Sequence, residues 1–451
     1  MTPNDTVMKR LLLTLVALAV TAGLSVAKEF DEFFTGASLR LDLVLAGDAS
    51  HQDVFLQEIC RTGEWAGRRS HLDTLLVDGN AQVIVRSGDG QTIYTQAFST
   101  LFQEWLTTEE STRIRKAFEC PVVIPEPKGK ASVEVRLNDH HRRPCASLKF
   151  EIDPSDILIR KVADNAFACK SLLDGGSLCD NYDIVIVAEG YSEGEQAKFF
   201  EDAGRLTGCL FAHEPFKQCS ERFNVRAVFA PSKDSGTSQP ARHDWKNTAA
   251  GSHYDTFYSE RYLTTSSLRK VHDIIGTVPF EQIILLVNTE RYGGGGIFNN
   301  ITLCTADHPF SPVVFVHEFG HSFAGLADEY DYGDEEDPTY PYDTEPWEPN
   351  ITTMVDFSSK WEDMLPAGTE IPTEPGALMK NYDLRRIWNT LNDKQKKEIN
   401  TKLGVYEGAG YRSIGVYRPV QECRMRINEC EEFCPVCSRA IVRMIDFCTG
   451  K

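Results

Sequence analysis

Basic residues are in deficit along this 451-residue chain: 47 lysines and arginines face 66 aspartates and glutamates, for a formal net charge of −19. So acidic a surface repels phosphate backbones and anionic headgroups, which excludes nucleic acid or an anionic membrane surface recruited by the overall field. Long apolar runs are lacking too. The run at residues 11–22 is too short for a comfortable span, and no later stretch is long and apolar enough to cross a bilayer. The glycine tetrad at residues 293–296 lacks the lysine and the strand-to-helix setting of a phosphate loop. No pro-segment with an obvious cysteine switch is visible.

Residues 1–27 read as a signal peptide. Lys9 and Arg10 form a basic start, the short apolar run follows, and Ser25-Val26-Ala27 offers a small-residue cleavage site, with an uncleaved N-terminal anchor as the competing reading. No cysteine sits there to suggest a lipid anchor. Cleavage before Lys28 removes Lys9, Arg10 and Asp5, which takes the charge from −19 to −20. The protein is therefore expected to be exported, to the periplasm, the cell surface or the medium. Thirteen cysteines in an exported chain point to disulfides, and their odd number leaves one over. The densest group is Cys423, Cys430, Cys434 and Cys437. It contains a C-x-x-C, so a structural metal or redox site competes with disulfides and free thiols.

The most informative stretch is PVVFVHEFGHSFAGLADEY, residues 312–330. On a helix, His317 and His321 lie four residues apart and share one face, and Glu318 stands beside the first. Two imidazoles supply two of the three protein ligands of a catalytic zinc, and the glutamate is placed to accept a proton from water in the open position. The preceding apolar run, with a proline near its start, suits a buried helix, where unpartnered histidines would be costly. Zinc peptidases of the metzincin type place a glycine after this motif and a third ligand three residues beyond it. Here Gly325 comes one position late. Counting three onward gives Asp328, with Glu329 as its rival.

HEFGHSFAGLADEY, DIVIVAEGY (183–191), RYLTTSS (261–267), YGGGGIFN (292–299) and GVYRPVQECRMR (415–426) together resemble the IgA peptidase (igalysin) family of secreted bacterial zinc metallopeptidases, of the metzincin clan. The resemblance implies a methionine in a tight turn beneath the metal, matching Met425; Met379 competes but lies in no matching motif. It also implies an edge strand that pairs with substrate backbone, matching Gly295, Gly296, Ile297 and Asn299 at the cleft rim. Tyr411 and Tyr417 are candidate stabilisers of the oxyanion, or packed aromatics.

Around these motifs the pattern divides the chain. Residues 28–155 alternate with period two, as at Leu39, Leu41, Leu43 and Leu45, and predict an antiparallel β-sandwich serving as an accessory domain, with His140 to Arg143 in a solvated loop. Residues 156–451 mix short apolar runs with helical stretches, which predicts a mixed, mostly parallel sheet followed by the active-site helix of a metzincin-like catalytic domain. The fold class is therefore α+β / α/β multidomain. The acidic run at residues 331–349 offers hard ligands for a structural calcium ion but no defined loop spacing, and a solvated loop competes. The expected activity is endopeptidase hydrolysis of protein or peptide substrates by one catalytic zinc, with no nucleic acid and no membrane span. The rivals are a non-catalytic binding or adhesion module, which Glu318 argues against, and a zinc amidase acting on cell-wall peptides.

Overall fold

The computed structural model describes residues 29–164, 166–334, 338–376 and 384–450. The expected signal segment, Met379 and part of the acidic run lie outside the described residues. The first unit holds two four-stranded sheets. One has the order β5-β1-β2-β8, with β1 at Phe34–Gly47, β2 at Gln52–Glu64, β5 at Lys116–Pro127 and β8 at Arg160–Lys161. The other has the order β4-β3-β6-β7, from Thr92–Phe98, Ala81–Ser87, Ala131–Asn138 and Pro144–Ile152. Leu39, Leu41, Leu43 and Leu45 are fully buried and meet Val83, Val85, Val133 and Val135 of the facing sheet. The period-two pattern thus gives a sandwich because every second side chain of each sheet reaches one shared core. The expected boundary at residue 155 falls short: β8 pairs with β2, and Ile159 packs into the sandwich core.

A six-stranded sheet follows, in the order β13-β14-β12-β10-β11-β9. Strands β10 (Tyr182–Glu189), β11 (Phe223–Phe229), β12 (Gln282–Val287) and β14 (Ile301–Thr305) run parallel, whereas β9 (Ala168–Asp174) and β13 (Gly294–Ile297) are antiparallel edges. Every residue of β10 and β12 is buried, as two covered faces require. Of five helices that matter here, α1 (Leu101–Trp105) leaves the sandwich toward the cleft. One face of the sheet packs on α2 (Gln196–Leu210), α4 (Ser311–Ala324) and α5 (Pro435–Thr449), the other on α3 (Leu268–Ile275). A small sheet of β15 (Asp331–Asp334), β17 (Tyr411–Arg418) and β16 (Tyr406–Ala409) stands beyond α4.

The two units are joined by apolar packing, with Ala97 and Leu101 set into the cores of the second unit, and by polar contacts. Ser99 N donates to Phe298 O at 2.9 Å, Trp347 Nε1 to Asn80 Oδ1 at 2.9 Å, and Arg40 and Arg269 pair with Asp273 and Glu119, each at 2.8 Å. All thirteen cysteines are free thiols, so the expected disulfides are not among the bonds of this structure. Among the described residues, no helix is long and apolar enough to cross a membrane.

Candidate metal centre and substrate cleft

Helix α4 starts with Pro312 in its first turn, where the missing N–H costs nothing, and stops at Gly325, whose left-handed φ of 64° ends the helix as glycine readily does. Val314, Phe315, Val316, Phe319 and Phe323 anchor it in the core, which leaves His317 and His321 on the cleft side. His317 Nδ1 lies 3.0 Å from the carbonyl of Arg424, and His321 Nδ1 lies 2.6 Å from that of Leu326. Those nitrogens must carry protons to donate, which turns both Nε2 lone pairs toward one point. The Nε2 atoms are 3.0 Å apart, and Asp328 Oδ1 lies 3.1 Å from the first and 3.3 Å from the second. Edges of about 3.3 Å are what a tetrahedral ion with bonds of about 2.0 Å would require.

The electrostatics agree. Burial disfavours a charged His321, yet Asp328 outweighs it and pushes the imidazole up to about 9; the histidines in turn hold Asp328 well below the carboxylate range. This is a place built to receive positive charge. Glu318, raised by burial, lies against β13, where a Cβ added at Gly294 would stand 2.7 Å from its Oε1. Gly296 is closer still, since a Cβ there would meet Glu318 O at 2.3 Å. The glycines therefore let the edge strand lie on the helix. Met425 is fully buried in a tight turn closed by Arg426 N on Cys423 O at 2.9 Å, and a Cβ on Gly320 would lie 3.0 Å from its sulfur.

The expected site residues separate. Gly295, Gly296 and Ile297 line a cleft of about 700 Å³ together with the two histidines, Glu318 and Asp328. Asn299 does not: its amide donates to Ala97 O at 2.8 Å and ties the two units together. The edge of β13 is also partly occupied, because Leu263 N donates to Gly294 O at 3.2 Å. Tyr411 reaches the site by donating to Asp328 Oδ2 at 2.7 Å, whereas Tyr417 faces Glu407 and does not line the cleft. Glu329, the rival third ligand, turns away from the histidines and accepts from Asn350 Nδ2 at 2.9 Å. The acidic run is not a simple solvated loop, since Tyr340, Glu345, Trp347 and Glu348 line the cleft and Lys360 Nζ donates to Glu348 O at 2.7 Å. No three carboxylates of that run converge among the described residues, which leaves the calcium expectation without a ligand group.

Sequence reasoning missed the wall contributed by the sandwich. Glu104 of α1 lines the cleft, accepts a hydrogen bond from Tyr262, and is pushed by burial up to about 7. His140 and Arg142, expected in a solvated loop, also line it, and Arg142 pairs with Asp78. Tyr330, Tyr332 and Tyr411 form a ring cluster 5.4 to 5.7 Å apart beside the His317, His321 and Asp328 group.

Compared with known families, residues 171–397 and 389–445 match the family described as IgA Peptidase M64, and residues 29–149 match the one described as Peptidase M64 N-terminus. The chain belongs to the IgA peptidase M64 family. No curated protein matches it. The family match spans α4, Asp328, Tyr411 and Met425, and the N-terminal match spans Glu104, strands β1 to β6 and most of β7. Both walls of the cleft thus lie within the two matches, and the chain is a peptidase by family.

Proposed function

We propose that this chain is a zinc-dependent endopeptidase of the metzincin type, exported by its signal segment, that cleaves protein substrates in the cleft between the sandwich and the six-stranded sheet. The observation that carries the reading is the convergence of His317 Nε2, His321 Nε2 and Asp328 Oδ1, with Glu318 alongside and the cleft open above them. Two imidazoles and a carboxylate suit zinc, and each histidine already has the backbone acceptor that fixes its tautomer. When bound, zinc would supply Lewis acidity at the scissile carbonyl and make water a nucleophile near neutral pH.

The protein's own groups do the rest. Glu318 takes the proton of the attacking water and hands it to the leaving amine; its burial raises its affinity for that proton between the two steps. Tyr411 holds Asp328 through Oδ2 and so keeps Oδ1 turned to the histidines. Apart from Gly294 O, which Leu263 N already takes, the glycine edge strand lines the cleft with backbone that an extended peptide could pair with, which favours cleavage within a chain.

The test is cleavage of an unstructured protein mixture by the full mature chain and by Glu318→Gln. Fragments from the wild type alone, with equal zinc in both, support the reading. Equal cleavage by both, or a His317→Ala/His321→Ala chain holding as much zinc as the wild type, overturns it.

A further inference from the structure

Consecutive residues Asp328 and Glu329 point to opposite sides of their segment, and the second enters a pocket that the peptidase reading does not use. Its side chain meets Cys423, Cys434 and Cys437, with all four ligand atoms within 4.8 Å of one another and all four residues fully buried. We propose that Glu329, Cys423, Cys434 and Cys437 form a second, closed metal site that holds structural zinc and fixes the floor of the cleft.

The geometry favours coordination over the alternatives for buried thiols. Cys423 Sγ and Cys437 Sγ are 3.8 Å apart. Four zinc–sulfur bonds of about 2.3 Å in a tetrahedron set sulfur edges of about 3.8 Å. A disulfide would need sulfurs about 2.0 Å apart, and joining any two would strand the third thiol beside a buried carboxylate. Thiol exchange is blocked as well, because no sulfur of the group is exposed. Glu329 Oε1 lies 3.1 Å from Cys437 Sγ, and its Oε2 is sealed without a hydrogen-bond partner. A buried carboxylate oxygen left in that state is costly, and a cation is the partner that removes the cost.

The surroundings match a ligand shell. Cys434 caps the N-terminus of α5 and Cys437 sits in its first turn. Cys434 N donates to Cys423 Sγ at 3.2 Å and Cys437 N to Cys434 Sγ at 3.5 Å, bonds that stabilise sulfur carrying negative charge. Asn350 positions Glu329 by donating to its Oε1 while exchanging hydrogen bonds with both backbone groups of Ala327. Three thiolates and a carboxylate around a divalent cation leave net negative charge, and the buried guanidiniums of Arg418 and Arg424 act on Glu329 and Cys423 from nearby. Cys430, grouped with the others by sequence, is not a member; it packs with Trp388, Ile399 and Ile427. Soft thiolates select zinc over calcium, magnesium or manganese.

The consequence for the cleft is mechanical. Cys423 shares its tight turn with Met425, Glu329 N donates to Met425 O at 2.8 Å, and Arg426 Nη1 donates to Glu329 O at 2.7 Å. A cation held here joins the segment carrying Asp328, the turn carrying Met425 and the start of α5. The histidines need not be touched for its loss to loosen the open site.

The test uses the mature chain, purified reduced and without chelator, beside His317→Ala/His321→Ala and Cys434→Ser/Cys437→Ser. Two zinc ions per wild-type chain are expected, and one in the histidine variant that only an organomercurial releases. Loading that variant with cobalt should give the near-ultraviolet thiolate-to-cobalt absorption, which histidine and carboxylate ligands cannot produce. The cysteine variant, if it folds, should lack that band. A reduced histidine variant that takes up neither zinc nor cobalt, or peptide mapping that finds Cys423, Cys434 or Cys437 in a disulfide, overturns the proposal. A wild type with one zinc, in thiolate coordination, would sustain this site and sink the histidine one, so the two readings fail separately.

Discussion

Asp328 and Glu329 are neighbours in the chain and opposites in chemistry. The first faces two imidazoles at the bottom of an open cleft; the second faces three thiols in a sealed pocket. Between the end of α4 and the start of β15 the two successive side chains turn into different groups, so one short segment serves both. Openness separates their uses. A site with three protein ligands and an accessible side leaves a position for water and substrate, whereas four buried ligands leave none. The pair also explains why this loop must be held firmly: a shift of the segment moves both carboxylates at once.

The sharpest way to separate the two clusters is at Glu318, which serves the open one alone. Glu318→Gln should lower the cleavage rate by on the order of 10² to 10⁴ while zinc content stays that of the wild type, read by fragment appearance and metal analysis. Tyr411→Phe should act next most strongly. It removes the hydroxyl on Asp328 Oδ2, and losing such an outer hydrogen bond weakens metal affinity about 10- to 100-fold. In a chelator titration only the open site should weaken, with the thiolate–cobalt band unchanged; weakening of both sites would mean that the two carboxylates move as one body.

Gly296→Ala tests the strand that roofs the open site. The new Cβ would meet the backbone of Glu318 at 2.3 Å, so either β13 or α4 must retreat, at a cost of about 1–3 kcal/mol in chemical denaturation. Gly320→Ala is the softer counterpart. Its Cβ would meet the end of the flexible Met425 side chain at 3.0 Å, and a smaller loss is expected. Equal losses from both would show that β13 does not depend on the glycines for its approach to the helix.

How much of this could be read beforehand follows the range of the interactions. The sandwich and the mostly parallel sheet were legible because alternation and apolar runs are local signals, and so were His317, Glu318 and His321, which are fixed by one helical turn. Counting from Gly325 reached Asp328, since the left-handed cap sets where the chain leaves the helix. Tyr417 and Asn299 lay in the right motifs but have other partners, and no spacing reveals which neighbour a side chain finds. Glu104 lies more than two hundred residues from the helix it faces, in a short helix with no motif of its own. Cys423, Cys434 and Cys437 were visible as a group, but their fourth member was not, because Glu329 lies more than ninety residues before them and is brought to them only by the fold.

Glu104 gives the finest distinction. Half-buried in the cleft wall near Glu318 and Asp328 and hydrogen-bonded from Tyr262, it is pushed by desolvation up to about 7 in the metal-free protein, above the usual carboxylate value near 4.5. Between those two values the folded chain binds a proton that the unfolded chain has released. The stabilisation is complete below about 4.5 and is lost as pH rises through about 7, at no more than about 1.4 kcal/mol per pH unit. Metal-free Glu104→Gln should therefore lack this part of the slope in denaturant midpoints measured from pH 4.5 to 7.5. A divalent cation at His317, His321 and Asp328 favours the charged carboxylate, so zinc should move the wild-type window to lower pH. Zinc in the sealed pocket of a His317→Ala/His321→Ala chain should not. A shift of that window in the histidine variant would show that the two sites are coupled by more than their shared segment.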